Sequence, residues 1–288
     1  MTKPEHFFID LAFKMHLRKW TPKLSSRGKP PFLLIHGLSS NAQTWDSVAR
    51  LLAEAGHEVV AIDQRNHGLS GKTDGGFDFD TITADVVQVL DHLEWDTPLL
   101  VGQSWGGNVL TEFGARYPKR AIGLVMVDGG FLDFGATGES WEAVSDRLKP
   151  PDINRFPAET LRALIQSSHP DWTEEGIDGT MANFKIHEDG SIERHLSIDK
   201  HLQILRHLFD QNLQELYPQI EEPVLICAAG PHDEPESPKS EWLEQARQVK
   251  NATQKWFAQT DHDIHIHKPK LLVETIFSWT EKISDVQQ

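Results

Sequence analysis

The sequence contains a single cysteine, Cys227, in 288 residues. With no second thiol there is no intramolecular disulfide, so the fold does not depend on an oxidising compartment and a cytoplasmic location is expected. Positive charge is scarce, with 28 Lys and Arg against 43 Asp and Glu and a formal charge of −15. Such a surface repels phosphate backbones and anionic lipid headgroups, which excludes nucleic acid and membrane surfaces as expected partners. Long apolar runs are also missing: no stretch approaches the about 18 residues of a spanning helix. Lys3, Glu5, Asp10, Lys14, Arg18 and Lys19 break up any signal-peptide core. Export is therefore not expected, and the Asn251-Ala-Thr253 sequon should go unused. Repeats, low-complexity tracts and obvious interdomain linkers are absent. What is present, 39% hydrophobic and 25% charged residues, is the composition of a globular chain able to bury one large core.

Short apolar runs alternate with helical spacing. The runs Pro31 to His36 and Glu58 to Asp63 read as strands flanking a helix marked by Trp45, Val48, Leu51 and Leu52. A helical stripe from Ile82 to Leu93 follows, then a strand over 97–101, a helix over 105–117 closed by Pro118, and a strand over 122–128. After Asp128 the alternation breaks. Residues 131–217 offer turns and helical pieces, such as 159–166 and 200–216, without a buried strand. It resumes with a strand over 223–229, a helix near 241–249, a strand over 253–258 and a closing helix from Pro269 to about Ile283. His6 to Trp20 predicts an antiparallel hairpin at the sheet edge. Non-alternating strands between amphipathic helices predict an α/β fold with a mostly parallel central sheet covered on both faces. The domain division expected is a core of 1–130 and 219–288 carrying an insertion over 131–218.

Gly102-Gln-Ser104-Trp-Gly106 falls where a predicted strand meets a predicted helix. A sharp strand-to-helix turn with small flanking residues holds a serine hydroxyl up at the carboxyl edge of a sheet, in a strained backbone conformation. Trp105 would present a backbone N–H at the helix start, where the macrodipole favours a developing oxyanion. A neutral serine hydroxyl is a poor nucleophile, however, and needs a base in hydrogen-bond reach, normally a histidine oriented by a carboxylate.

With this elbow the chain resembles the α/β-hydrolase superfamily from about Phe32 to Val273. His36-Gly37 is similar to the family's His-Gly oxyanion loop, which implies Leu38 as the second backbone donor. Asp63-Gln-Arg-Asn-His-Gly-Leu-Ser70 resembles the family's Asp-x-Arg-Gly-x-Gly-x-Ser turn, with Asn66 where glycine is usual; asparagine tolerates a left-handed backbone, and the turn is read as structural. The family order of serine, acid, histidine implies His262 as the base, seven residues before Pro269. Asp261 stands where glycine is common and would raise the histidine's pKa. Two positions fit the acid: Asp233 in Gly230-Pro-His-Asp233, with Glu234 beside it, and Asp128 after the preceding strand. Histidines 262, 265 and 267 also admit a zinc reading, but no ligand spacing supports it.

The resemblance implies a helical cap over 131–218, in which Phe131, Phe134, Trp141, Trp172, Met181, Phe184, Leu205 and Phe209 either line an acyl pocket or pack the cap itself. It implies a carboxylesterase-like hydrolase that needs neither metal nor organic cofactor and acts on a small to medium ester or lactone through an acyl-enzyme. Serine at 104 in place of aspartate argues against the dehalogenase and epoxide-hydrolase branches. The alternatives are cleavage at a C–C bond with the same triad, or a ligand receptor or signalling member of the fold. Oligomeric state is not legible.

Overall fold

The computed structural model describes residues 3–23, 28–153 and 156–286. Among the described residues, ten strands and eleven α-helices follow in chain order. The first half runs β1 (Glu5–Asp10), β2 (Lys14–Trp20), β3 (Phe32–Ile35), α1 (Asp46–Glu54), β4 (Val59–Ile62), α2 (Phe79–His92), β5 (Leu99–Gln103), α3 (Trp105–Arg116) and β6 (Gly123–Val127). Between β6 and the next strand of the main sheet lie α4 (Trp141–Leu148), α5 (Ala158–Ser168), α6 (Glu174–Met181), β7 (Phe184–Ile186), β8 (Ile192–Arg194), α7 (Ile198–Asp210) and α8 (Leu213–Leu216). The chain then returns through β9 (Val224–Gly230), α9 (Lys239–Gln245), β10 (Ala252–Ala258), α10 (Ile264–His267) and α11 (Pro269–Val286).

The main sheet has the order β1-β2-β4-β3-β5-β6-β9-β10. β1 pairs antiparallel with β2, and β2 with β4; every later pair is parallel. The edge hairpin and the covered parallel sheet therefore agree with the sequence pattern. Side-chain alternation sends Leu33, Ile35, Leu100, Leu124, Met126 and Ile226 to one face against α2 and α3. Phe32, Leu34, Val101, Val125, Leu225 and Cys227 go to the other face against α1 and α11. Both faces are buried, so polar positions inside these strands would have no solvent to face. Each large side chain withdrawn from water in this way contributes roughly 1.5–3 kcal/mol. Among the described residues no helix is long and apolar enough to cross a membrane.

The segment between β6 and β9 is mostly helical, but it differs from the sequence expectation in two places. β7 and β8 form a separate antiparallel two-stranded sheet, three residues each and too short to leave a periodic signal. The helix expected over 200–216 is split: Gln211 turns to ψ 128 and carries its amide to Asn108 and Glu112 on α3. Apolar residues of the segment pack in two clusters. Phe131 and Leu205 join the main core with Phe134 and Trp141 packed on it, while Trp172, Ile177 and Met181 pack around Ile266 of α10.

Candidate active site

The elements that carry chemistry converge at the carboxyl ends of the parallel strands: Ser104 follows β5, Asp128 follows β6, and His262 lies between β10 and α10. Ser104 caps α3 with φ 53 and ψ −122, outside the regions that L-residues favour. Its N–H donates to Val127 O at 2.9 Å and its carbonyl accepts from Gly107 N at 2.8 Å, which fixes the turn against β6. The flanking glycines are required by contact. A Cβ at Gly102 would come within 2.3 Å of Gly106 O, and one at Gly106 within 2.6 Å of Ile35 O.

The His36-Gly37-Leu38 loop lies against this turn, since a Cβ on Gly37 would stand 3.0 Å from Ser104 Cβ. Two buried histidines hold the loop. His36 Nδ1 donates to Gly37 O while its Nε2 accepts the N–H of Gln64. His67 Nδ1 donates to Arg65 O, leaving Nε2 to accept the N–H of Ser39 at 3.2 Å. Both tautomers require neutral rings, in keeping with burial that lowers the His36 pKa and drives that of His67 well below its ordinary value. Among the described residues, no protein acceptor takes the N–H of Leu38 or of Trp105.

His262 donates from Nδ1 to Asp128 Oδ2 at 2.6 Å. Asp128 is held from several sides. Its N–H bonds to Cys227 O at 2.6 Å, its Oδ1 accepts from Ala229 N at 2.8 Å, and Lys239 Nζ lies 2.9 Å from each carboxylate oxygen. Burial pushes the Asp128 carboxyl up, but the bond and charge of His262, reinforced by Lys239, hold it below the usual carboxylate range. Crowding opposes the His262 imidazolium even though 49% of its side chain is accessible. The bond and charge of Asp128, with Asp263 adding to them, outweigh this and raise the histidine above its ordinary value.

Asp233 and Glu234 do not reach this arrangement. Both are exposed on the loop after β9, and Asp233 takes no hydrogen bond among the described residues. Asp128 instead follows the last residue of β6 directly and bonds His262. Asp261 also departs from expectation. Its carboxylate turns to His169 Nδ1 at 3.0 Å and Trp172 Nε1 at 2.9 Å, so the neighbouring acid that supports the His262 charge is Asp263.

The comparisons with known proteins accord with the fold. Residues 30–269 match the family model described as alpha/beta hydrolase fold. The chain belongs to the α/β-hydrolase fold family. Among curated relatives, it is 33% identical to epoxide hydrolase B of Mycobacterium tuberculosis over 127 residues, 43% of this chain and 35% of that protein. Matches to the first curated relatives span 33% to 50% of those proteins' own lengths. Among solved structures, E-2-(acetamidomethylene)succinate hydrolase superposes with a TM-score of 0.77 at 18% identity, covering 96% of this chain and 99% of that one. A thioesterase domain from the curacin biosynthetic pathway gives 0.74 at 22% identity, covering 95% and 99%.

Within this α/β-hydrolase frame the Asp63 to Ser70 stretch is a buried turn. Asp63 accepts from Ala42 N, Leu69 N and His16, and Arg65 forks onto Asp85 with two bonds of 2.8 Å. Asn66 takes the left-handed conformation expected of it, φ 66. The three C-terminal histidines have separate partners: His262 faces Asp128, His265 is buried on Trp45, and His267 accepts from Asp261 N. Among the described residues no group of three potential metal ligands comes together. Sequence reasoning missed Lys239, His67 and Asn108. Asn108 ties the turn after Asp128 to α3 through Gly130 N and Leu132 O. A cleft of about 680 Å³ opens beside His262 and Lys239, with His169, Asp171 and Asp261 on its wall.

Proposed function

We propose that this hydrolase-fold protein is a carboxylesterase-like enzyme that cleaves a small to medium ester or lactone through an acyl-enzyme on Ser104. The observation that carries the reading is the 2.6 Å bond from His262 Nδ1 to Asp128 Oδ2 at the same sheet edge as the Ser104 elbow. With Nδ1–H committed to the carboxylate, Nε2 is the nitrogen left to take the serine proton. In this reading Asp128 is the orienting acid rather than Asp233. Ser104 Oγ attacks the carbonyl carbon as its proton passes to His262. The N–H groups of Leu38 and Trp105 receive the oxyanion. Collapse of the tetrahedral species expels the alcohol, which takes the proton from His262, and water activated by the same histidine then releases the acid. No step needs a metal or an organic cofactor.

A serine hydroxyl suits acyl transfer, whereas opening an epoxide through an alkyl-ester intermediate requires a carboxylate at that position. A panel of p-nitrophenyl esters, lactones and amides of varied acyl length, run beside Ser104→Ala and with fluorophosphonate labelling, tests the proposal. Ester turnover and labelling are expected in the parent, and loss of both in Ser104→Ala. Full rate in the variant would overturn it.

A further inference from the structure

Lys239 lies outside every motif in the sequence, at the start of α9. Its ammonium is nevertheless directed at the carboxylate behind His262, 2.9 Å from Oδ1 and 2.9 Å from Oδ2, with its remaining donor on Ala229 O. The Trp256 ring packs 5.8 Å from the same ammonium. Only 1% of the Asp128 side chain and 25% of the Lys239 side chain are accessible, so the pair is weakly screened. A carboxylate's terminal torsion is broad and roughly two-fold. His262 on Oδ2 and Ala229 N on Oδ1 hold one oxygen each, and among the described residues a cation spanning both oxygens is the one contact that ties the two together and carries charge.

We infer that Lys239 is a positioning residue for the reaction proposed above, acting through Asp128: with Ala229 N it braces the carboxylate plane that aims His262, and it takes up part of the negative charge acting on the imidazole. The inference rests on that reaction. The groups facing His262 are Asp128 from the end of β6, Lys239 from α9, Asp261 and Asp263 on its own loop, His265 from α10, and His169 and Asp171 across the cleft. Asp128 and Asp263 favour the imidazolium, and Lys239 opposes it. A general base works only when unprotonated, so the lysine keeps more of His262 available near neutral pH than the carboxylates alone would.

The test uses the full chain. The His262 imidazole is titrated by NMR in the parent, Lys239→Met and Lys239→Arg, and kcat/KM for p-nitrophenyl acetate is followed against pH. In Lys239→Met the His262 midpoint and the acid limb of the profile should both move to higher pH. The kcat at pH 7 should fall roughly 10- to 100-fold, the range that misplacement of a catalytic group produces, with KM little changed. Lys239→Arg should restore the midpoint. In an Asp128→Asn background, Lys239→Met should cost nothing further. If Lys239→Met does not fold, Lys239→Gln reads the same shift. An unchanged midpoint in an active parent background overturns the inference alone. A shifted midpoint in a parent that neither turns over esters nor accepts fluorophosphonate overturns the proposed reaction, and the positioning role with it.

Discussion

Asp128 and Asp233 follow adjacent strands of one sheet, β6 and β9, and both stand in turn-like sequence, Asp128-Gly-Gly and Gly230-Pro-His-Asp233. Locally they are equivalent, and for that reason the sequence left the acid open between them. What separates them is long-range. Asp128 meets Ala229 N, Lys239 and His262 across 101, 111 and 134 residues, whereas Asp233 faces solvent. The Ser104 elbow was legible because its requirements are local: small residues at 102 and 106, a strand before and a helix after. Lys239 was not, because nothing in its immediate neighbours marks a lysine that reaches a distant carboxylate. Exchange of the two acids should show the difference. Asp128→Asn should lower kcat roughly 10⁴-fold, since an amide cannot hold the required imidazole tautomer, and Asp233→Asn should leave steady-state rates at the parent value. Equal rates in the two variants would remove Asp128 from the mechanism.

The inner parallel strands β3, β4, β5, β6 and β9 were readable as apolar runs because both faces of the sheet are covered there, whereas the edge strand β10 carries Thr253, Gln254 and Lys255 and is largely uncovered. The segment between β6 and β9 was less readable. β7 is largely exposed, and the break between α7 and α8 is set by Gln211 binding α3 rather than by a proline or glycine. Packing also explains the elbow's intolerance of side chains. Gly106→Ala would drive a methyl group to 2.6 Å from Ile35 O and 2.7 Å from His36 O, both backbone atoms of β3 and the loop after it. A core overfilled in this way is destabilised by about 1–3 kcal/mol. Denaturant unfolding should report a loss of that order, together with reduced activity, because the His36-Gly37-Leu38 loop must shift. A fully stable and active Gly106→Ala protein would contradict the close contact.

The molecule as a whole buries several neutral histidines. His36 and His67 are held below their ordinary pKa by burial, and burial lowers His201 to about 4 and His265 to about 3. In the unfolded chain each of these takes up a proton near pH 6.5, while in the folded chain each stays neutral to lower pH. The unfolded state therefore binds more protons as the pH falls. The stability these residues share in is complete above about pH 6.5 and declines below it toward their folded values. His262, raised by Asp128, has the opposite sign: its contribution is present at low pH and fades as pH rises through its folded value. His6, His57, His195 and His267 are lowered as well, so eight histidines among the described residues oppose His262 and the protein should be acid-sensitive. The thermal midpoint should hold from pH 8 to 7 and drop steadily by pH 5, a trend that a flat profile over that range would refute.

The inserted segment is fastened to the catalytic edge at more than one point. Asn41 beside the His36-Gly37-Leu38 loop donates to Gly179 O, Ser39 Oγ bonds His201, and Trp172 and His169 hold Asp261, the residue before His262. Lifting this roof to admit a bulky substrate would pull on the loop that presents Leu38 and on the loop that presents His262 at the same time. In the proposed reaction the covering and the chemistry would thus be interlocked: the site would be complete only with the roof seated, and a guest too large to fit beneath it would disarm the machinery meant to cut it.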